Sequence, residues 1–320
     1  MGLNINPREN FMLAVRHEEP YWLPCPIFDG SVAYIQHGLK ERCDHGKDDW
    51  GVLWERKDPK SDSFPVKHPL DSPDMVEDYP LPSIDKSQVI EKNKRTVSKV
   101  DRNKIVLFGD NGWGLFERAW LLISMPRFFV WSFRYPDALK RLIARIAEVK
   151  VSLTELLITE LGIDIIGYGD DWGMEDRLLL SLENWRTFIK PWQAKLYKVA
   201  KEYDVLIFQH SDGRVENLIP DLIEMGVDIL NIQRECNDWP RIIKEYGDKV
   251  TMWGGVSART LDIGDPEDIV KEVEDCSRWG RFGGVVMAPG HTLKYPKKKM
   301  EIMRKAWIDN GTYKVRPLIN

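Results

Sequence analysis

Residues 205–233 read VLIFQHSDGRVENLIPDLIEMGVDILNIQ and predict a strand, a helix and a second strand. The flanking runs 205–213 and 227–233 are short, apolar and rich in β-branched residues, as strands are. Between them, 215–225 carries apolar residues at helical spacing, and Gly226 ends that pattern. Continuous apolar strands separated by helices are typical of a parallel sheet that is covered on both faces.

The same alternation of strands and helices covers most of the chain after residue 104. Helices are predicted at 136–161, which Gly162 ends, at 182–203, and after Asp265, which is followed by proline and acidic residues. The other strand-like runs are 105–110, 163–171, 249–255 and 283–289, with 22–28 as a candidate first strand.

Seven such strands with intervening helices predict a (β/α)8 barrel in which one strand is undetected, formed as a single domain by residues 1–320. An open, doubly wound sheet is the alternative. It is disfavoured because no strand is followed by a Gly-rich dinucleotide- or phosphate-binding motif. The segment 40–104 is rich in Asp, Lys and Pro and has few periodic apolar positions, so it is interpreted as an insertion at the barrel rim.

The overall composition excludes several classes of protein. Apolar residues make up 43% and charged residues 30% of the 320 residues, which suits a soluble chain with a large core. The net charge of −4 offers no basic footprint for nucleic acid, and no apolar run approaches the roughly 18–20 residues of a membrane span. The N-terminus lacks the regions of a signal peptide. Four scattered cysteines without C-x-x-C spacing predict a reduced, cytoplasmic protein.

Polar and aromatic residues follow the predicted strands, at the face of a barrel where active sites lie. His210 and Asp212 alternate along one strand and therefore point the same way, and His291 follows a later strand. These residue types bind zinc, so the three are the candidate metal ligands. A simpler interpretation stays open for each histidine: His210 as a hydrogen-bonded residue at a strand end, and His291 as a solvent-facing loop residue.

Two further sets of residues complete the predicted site. The candidate proton donors are the acidic residues at these strand ends: Asp171, Asp212 and Glu235. The candidates for contact with a substrate are aromatic and amide side chains at the same ends: Trp113, Tyr168, Trp172, Gln233 and Trp253.

The sequence resembles the uroporphyrinogen decarboxylase superfamily over most of its length. The matching segments are NPRENFMLAVRHEEPYWLP (6–24), GDDWG (169–173), the segment 210–233, YGDKVTMWGGVS (246–257) and GGVVMAPGHTLKYPKKKMEIMRKA (283–306). The resemblance implies a (β/α)8 barrel. It also implies one of two chemistries: decarboxylation of uroporphyrinogen, or methyl transfer to or from a corrinoid protein with a zinc ion in the barrel mouth.

Two departures from the family patterns narrow that choice. The segment PIFDGSVAYIQHG (26–38) has no arginine, although the resemblance implies paired arginines there in a true decarboxylase. The thiol-activating methyltransferases of the superfamily use His-x-Cys and a distant Cys, whereas this chain has His210-Ser211-Asp212 and His291. Nitrogen and oxygen ligands leave zinc a stronger Lewis acid, which suits an ether oxygen.

The resulting expectation is a zinc-assisted methyltransferase of the corrinoid-dependent branch. It would move a methyl group from a methoxylated aromatic compound to cob(I)alamin on a separate corrinoid protein. The alternatives are a lyase that decarboxylates a small carboxylate, a methyltransferase using methanol, methylamine or a thiol such as coenzyme M, and a non-catalytic corrinoid-binding module. Whether the chain forms a homodimer stays open.

Overall fold

A computed structural model describes residues 5–59 and 61–315, and its main feature is a curled sheet of seven parallel strands. The strands of the chain are β1 (Val32–Ile35), β2 (His45–Lys47), β3 (Leu53–Arg56), β4 (Ser63–Lys67), β5 (Val106–Trp113), β6 (Ile165–Gly169), β7 (Leu206–Ser211), β8 (Ile229–Ile232), β9 (Thr251–Val256) and β10 (Val285–Pro289). The parallel sheet has the order β1-β5-β6-β7-β8-β9-β10. Neighbours in the sheet are therefore consecutive along the chain, apart from the three strands β2–β4.

Helices cover the outside of this sheet. They are α1 (Pro7–Val15), α2 (Pro26–Asp29), α3 (Lys86–Lys99), α4 (Leu115–Ile123), α5 (Met125–Arg134), α6 (Pro136–Leu161), α7 (Leu182–Phe188), α8 (Lys190–Glu202), α9 (Ile219–Glu224), α10 (Trp239–Tyr246), α11 (Ala258–Ile263), α12 (Pro266–Trp279) and α13 (Lys297–Asn310). The α/β alternation and the consecutive order of the strands in the curled parallel sheet confirm the predicted (β/α)8 barrel.

The prediction of a first strand at 22–28 is wrong, because the segment forms no regular strand and ends in a helix. Pro26 starts the short helix α2, whose first turn the Asp29 carboxylate stabilises by accepting the N–H of Cys25 at 2.9 Å. Only the part before Pro26 runs beside β10, and the Pro24 carbonyl accepts the N–H of Met287 at 2.8 Å. This segment runs beside β10 without forming a regular strand.

Two other predictions need smaller corrections. The predicted helix at 182–203 is two helices, α7 and α8, which meet at Ile189 because Pro191 cannot continue the first one. The prediction for 136–161 is confirmed, and Gly162 ends it in the left-handed region at φ 61°. Asp265 caps α12 as predicted, through a reciprocal pair with Asp268.

The insertion at 40–104 contains β2, β3 and β4, which form an antiparallel sheet, and helix α3. Its buried side chains, among them Trp50, Trp54 and Val89, belong to the same apolar cluster as the barrel helices α4 and α6. The insertion is thus packed onto the barrel wall beside the carboxyl end of β5.

A buried network of charges fastens the insertion to the barrel. Glu41 lies 3.1 Å from Lys150 of α6 and 3.3 Å from Arg118 of α4, and Arg118 also lies 3.2 Å from Asp48. All four side chains are buried. The guanidinium of Arg118 stacks on the ring of Trp50, 4.7 Å from its centroid. Two acids from the insertion therefore neutralise two bases from the barrel.

No helix in the described ranges, 5–59 and 61–315, is long and apolar enough to cross a membrane.

Candidate active site

Two histidines and a carboxylate meet at the carboxyl ends of β7 and β10. His210 and Asp212 lie at the end of β7, and His291 lies in the loop after β10. Asp212 lies between the two rings, with its carboxylate oxygens 3.4 Å from Nε2 of His210 and 3.5 Å from Nε2 of His291. One ligand atom from each residue lies within 4.8 Å of the other two. The structure thus brings the three predicted ligands together.

Hydrogen bonds decide which nitrogen of His210 faces this cluster. The side-chain amide of Asn231 donates to the Trp253 carbonyl at 2.6 Å, so the amide oxygen remains available as an acceptor. That oxygen lies 2.6 Å from Nδ1 of His210, which must therefore donate to it. A neutral His210 carries its proton on Nδ1 and turns the lone pair of Nε2 toward Asp212.

The cluster has unsatisfied polar atoms that suit a bound cation. Within the described residues, the buried atoms Oδ1 of Asp212 and Nδ1 of His291 have no hydrogen-bond partner. Nε2 of His210 and Oδ1 of Asp212 are two acceptors that face each other, and they repel unless a proton or a metal ion lies between them. Imidazole nitrogens and carboxylate oxygens are ligands of zinc. The donor set therefore fits a zinc ion.

Asp171 lies beside the cluster, just after β6. Its Oδ1 accepts the backbone N–H of Asp212 at 2.9 Å and lies 3.7 Å from Nε2 of His210. Burial, followed by the negative charge of Asp212, raises the pKa of Asp171 above its ordinary value. The structure therefore places a second carboxylate at the mouth, next to the three candidate ligands.

Asp170 and Glu117 join the end of β6 to the start of α4. Buried Asp170 accepts the N–H groups of Phe116 at 2.9 Å and Glu117 at 2.8 Å, so it caps α4 from a different strand. In return, the N–H of Asp171 donates to the Glu117 carboxyl group. Burial and the charges of Asp171 and Asp170 raise the pKa of Glu117 well above its ordinary value. The sequence candidates omit Glu117, since this reciprocal pairing depends on tertiary contact.

Aromatic rings form a floor inside the barrel beneath the cluster. The ring centroid of Phe208 lies 5.0 Å from that of Phe108 and 5.4 Å from that of Trp253. Tyr34 of β1 extends this floor, 5.3 Å from Phe108, and is 54% exposed. Of the predicted substrate contacts, Trp253 belongs to this aromatic floor. Phe208 could have been found from the sequence, since it precedes His210 by two positions and so shares its face.

Three other predicted contact residues lie away from the cluster. Tyr168 is buried and its hydroxyl donates to the Leu196 carbonyl on α8, so it points out to the helices. Trp172 is fully buried against Trp185, and its indole N–H donates to Asp170. Trp113 is partly buried against Trp54 of the insertion. These side chains were predicted at the mouth because they follow strands, but alternation and packing turn them toward the outer layers.

The last two predicted residues lie on the rim after β8. The Gln233 side-chain oxygen accepts the N–H of Gly213 at 2.8 Å, which fixes the turn after Asp212. Glu235 is exposed beside Gly290, and within the described residues no ion pair or hydrogen bond holds its carboxylate. Gln233 therefore supports the cluster through the backbone, and Glu235 lies outside it.

Comparison with known proteins places the chain in a family. Residues 58–307 match the model of the family described as uroporphyrinogen decarboxylase (URO-D). The chain belongs to the uroporphyrinogen decarboxylase family. The match covers β5 to β10 and most of α13, and therefore includes all three residues of the His210–Asp212–His291 cluster. The resemblance seen in the sequence is confirmed.

Two proteins that are similar to this chain, one by sequence and one by structure, are named as methyltransferases. The curated methylcobamide:CoM methyltransferase MtaA of Methanosarcina barkeri is 25% identical over 170 residues, which are 53% of this chain and 48% of the relative. The chain therefore spans about half the length of the curated relative that it matches. A solved methyltransferase from Methanosarcina mazei superposes with a TM-score of 0.76 at 17% identity, covering 96% of this chain and 99% of that one. This second likeness shows that the two chains share the barrel fold.

Proposed function

We propose that this protein transfers the methyl group of a methoxylated aromatic compound to cob(I)alamin on a separate corrinoid protein, with a zinc ion held by His210, Asp212 and His291. One observation carries the proposal: the three candidate ligands share the barrel mouth with the aromatic floor, since His210 follows Phe208 by two positions on the same face of β7. An aromatic ring that packs on Phe208 and Trp253 brings a methoxy oxygen toward the cluster. The name of the curated relative, which includes methylcobamide, supports the corrinoid part of the proposal.

The ligand set favours an ether oxygen over a thiol. A zinc ion held by two imidazoles and a carboxylate would supply Lewis acidity, which suits the cleavage of a bond between an ether oxygen and its methyl carbon. The hydrogen bond from Nδ1 of His210 to Asn231 keeps the ring oriented for this task. The protein therefore contributes metal ligands that are already oriented before the ion binds.

The reaction also needs a side chain that donates a proton to the leaving oxygen. As the C–O bond breaks and the methyl carbon bonds to cobalt, the C–O electron pair stays on oxygen and its charge must be neutralised. Asp171 is positioned for this, 3.7 Å from Nε2 of His210 at the open side of the cluster. Asp212 serves as a ligand, and Glu235, on the rim, is the weaker candidate for proton donor.

Decarboxylation of a substrate with many carboxylates has little support in this chain. Residues 26–38 contain no arginine, and β1 presents Tyr34 to the barrel interior. A bidentate arginine is the usual partner of a bound carboxylate. An aromatic side chain in that position suits an uncharged ring instead.

Methyl transfer to a thiol is the second candidate function, and the name of the curated relative, which includes CoM, is the observation that favours it. In that case the methyl group would pass from a methylated corrinoid to sulfur. The donor set of this chain contains no cysteine, because Asp212 and His291 occupy the two positions. A neutral thiol is activated best by an electron-rich zinc with thiolate ligands, so the demethylation of an ether remains the proposal.

A transfer assay tests the proposal. The enzyme, a corrinoid protein reduced to cob(I)alamin and a panel of methoxylated aromatics are mixed, and the spectral change to methylcobalamin is followed. We expect conversion with at least one methoxylated aromatic and none with methanol or methylamines. Turnover restricted to methanol, to methylamines, or to methylcobalamin with a thiol would show that the substrate assignment is wrong, and release of CO2 would favour the lyase.

Replacing Asn231 with leucine should weaken zinc binding by roughly 10- to 100-fold, the usual effect of losing the partner of a ligating histidine. The leucine cannot accept the proton on Nδ1 of His210, so the ring loses its fixed orientation. Zinc affinity is measured by competition with a chromogenic chelator. Asn93→Leu is the matched control, because Asn93, on α3 of the insertion, is also buried but bonds to the Gln36 backbone after β1. Equal affinities for both variants would contradict the role of Asn231.

A further inference from the structure

Four lysines lie close together on the rim of the barrel, next to the candidate metal ligands. Lys294 follows His291 in the loop after β10, and Lys297, Lys298 and Lys299 form the first turn of α13. The hydroxyl of Tyr295 donates to the His291 carbonyl at 2.7 Å, which ties the start of this helix to the metal cluster. We call Lys294, Lys297, Lys298 and Lys299 the basic rim.

The positive charge of the basic rim is largely unneutralised. Lys294, Lys297 and Lys298 are exposed, with the Lys297 side chain 92% exposed, and Lys299 is half-buried. Lys297 lies 3.9 Å from Glu301, whereas no ion pair is found for the other three within the described residues. Like charges this close repel each other, so the arrangement favours an anionic partner.

Exposed apolar side chains accompany the lysines. Leu293 in the same loop is 58% exposed, and Ile263 at the end of α11 is 70% exposed. Helix α11 is in contact with α13, the helix that follows the loop of Leu293, so both apolar residues belong to neighbouring parts of the chain. A small apolar centre bordered by charge is the usual composition of a protein interface.

We propose that the basic rim, with Leu293 and Ile263, is the docking surface for an acidic face of the protein that carries the corrinoid. This inference rests on the proposed function, since the cobalt atom must reach a methyl group held at His210 and His291, and its carrier must then cover the adjoining rim. A second copy of this chain fits less well. A two-fold interface would place one basic rim against the other and bring like charges together.

Charge reversal of the basic rim tests the proposal. The probe is a purified corrinoid protein with the Asp-x-His-x-x-Gly motif from the same genome, and its binding is measured by titration at low and high salt. Lys294, Lys297, Lys298 and Lys299 are replaced together by glutamate, and in a second variant by glutamine. We expect the affinity to fall roughly tenfold or more at low salt in the glutamate variant and less in the glutamine variant. The difference should shrink as salt screens the charges.

Two controls separate the surface from the chemistry. The four exposed lysines Lys195, Lys198, Lys244 and Lys249 lie on outer helices and before β9, and their replacement by glutamate changes the net charge equally. This control variant should bind like the wild type. The rate of methyl transfer to free cob(I)alamin should be the same in all variants, because the small acceptor needs no docking surface.

The outcomes distinguish the two proposals. Unchanged affinity of the basic-rim variants, or an equal loss in the control variant, would overturn the docking surface. A wild-type protein that binds the corrinoid protein but transfers no methyl group would refute the proposed function alone. Self-association of the chain that the basic-rim substitutions abolish would assign this surface to a second copy instead.

Discussion

Replacing His210 with alanine should abolish binding of the proposed zinc ion and lower the proposed methyl-transfer rate by at least about 100-fold, because the site loses a ligand that Asn231 holds in place. Zinc is measured by elemental analysis of the purified protein, and the rate by formation of methylcobalamin. The two quantities should fall together. The effect is large because the remaining candidates, Asp212 and His291, supply two ligands, whereas a catalytic zinc site normally has three.

A matched substitution shows whether the effect belongs to the cluster. His45 is an exposed histidine on β2 of the insertion, and His45→Ala should leave both the zinc content and the rate unchanged. Thermal unfolding of both variants reports any general loss of structure. A His210→Ala protein with full zinc occupancy and a normal rate would refute the assignment of His210 as a ligand.

Replacing Glu41 with alanine should cost roughly 3–5 kcal/mol of unfolding free energy, the range for breaking a buried ion pair on one side. The substitution leaves Lys150 and Arg118 buried without their shared anion, and the Trp113 N–H without its acceptor. The free energy is measured by urea unfolding. Glu91→Ala is the control, since the exposed pair of Glu91 with Lys94 should contribute less than about 1 kcal/mol. Equal effects of the two substitutions would show that the network contributes little.

The pH dependence of stability follows from the same carboxylate. Burial alone would raise the pKa of Glu41, but Lys150 and Arg118 outweigh it and lower the pKa to about 2. A carboxylate with a lowered pKa stabilises the fold above its ordinary value of 4.5 and loses that contribution as the pH falls toward 2. The wild type should therefore lose stability through this range more steeply than Glu41→Ala does.

The barrel and the metal cluster could be predicted because their signals are local. Apolar strands alternate with helices, and His210 and Asp212 share a face through the two-residue period of one strand. The first strand could not be predicted, since its apolar run contains Pro26, which begins a helix instead. A short run of apolar residues does not by itself show whether the segment forms a strand or a helix.

The aromatic part of the site was harder to predict because ring direction depends on packing. Tyr168 lies inside β6 and Trp172 just after it, while Gly167 and Gly169 take the inward positions of that strand, so both rings lie between the sheet and the helices. The aromatic floor of Phe108, Phe208 and Trp253 comes from residues inside strands and needs the closed barrel to bring them together.

The irregular closure of the barrel has a consequence for its dynamics. Strand β10 has a continuous ladder with β9 on one side, but on the other side the described residues show only the bond between Met287 and Pro24 joining it to the 22–24 segment. This junction between β10 and the 22–24 segment, here called the seam, has few backbone hydrogen bonds. Local unfolding should therefore start at the seam, where the backbone is least protected. His291 follows β10 directly at this seam, whereas His210 lies on β7, which is laddered on both sides. An ion bound by both histidines would therefore link the seam to the more rigid part of the sheet. Amide exchange along β10 should then slow when the ion binds.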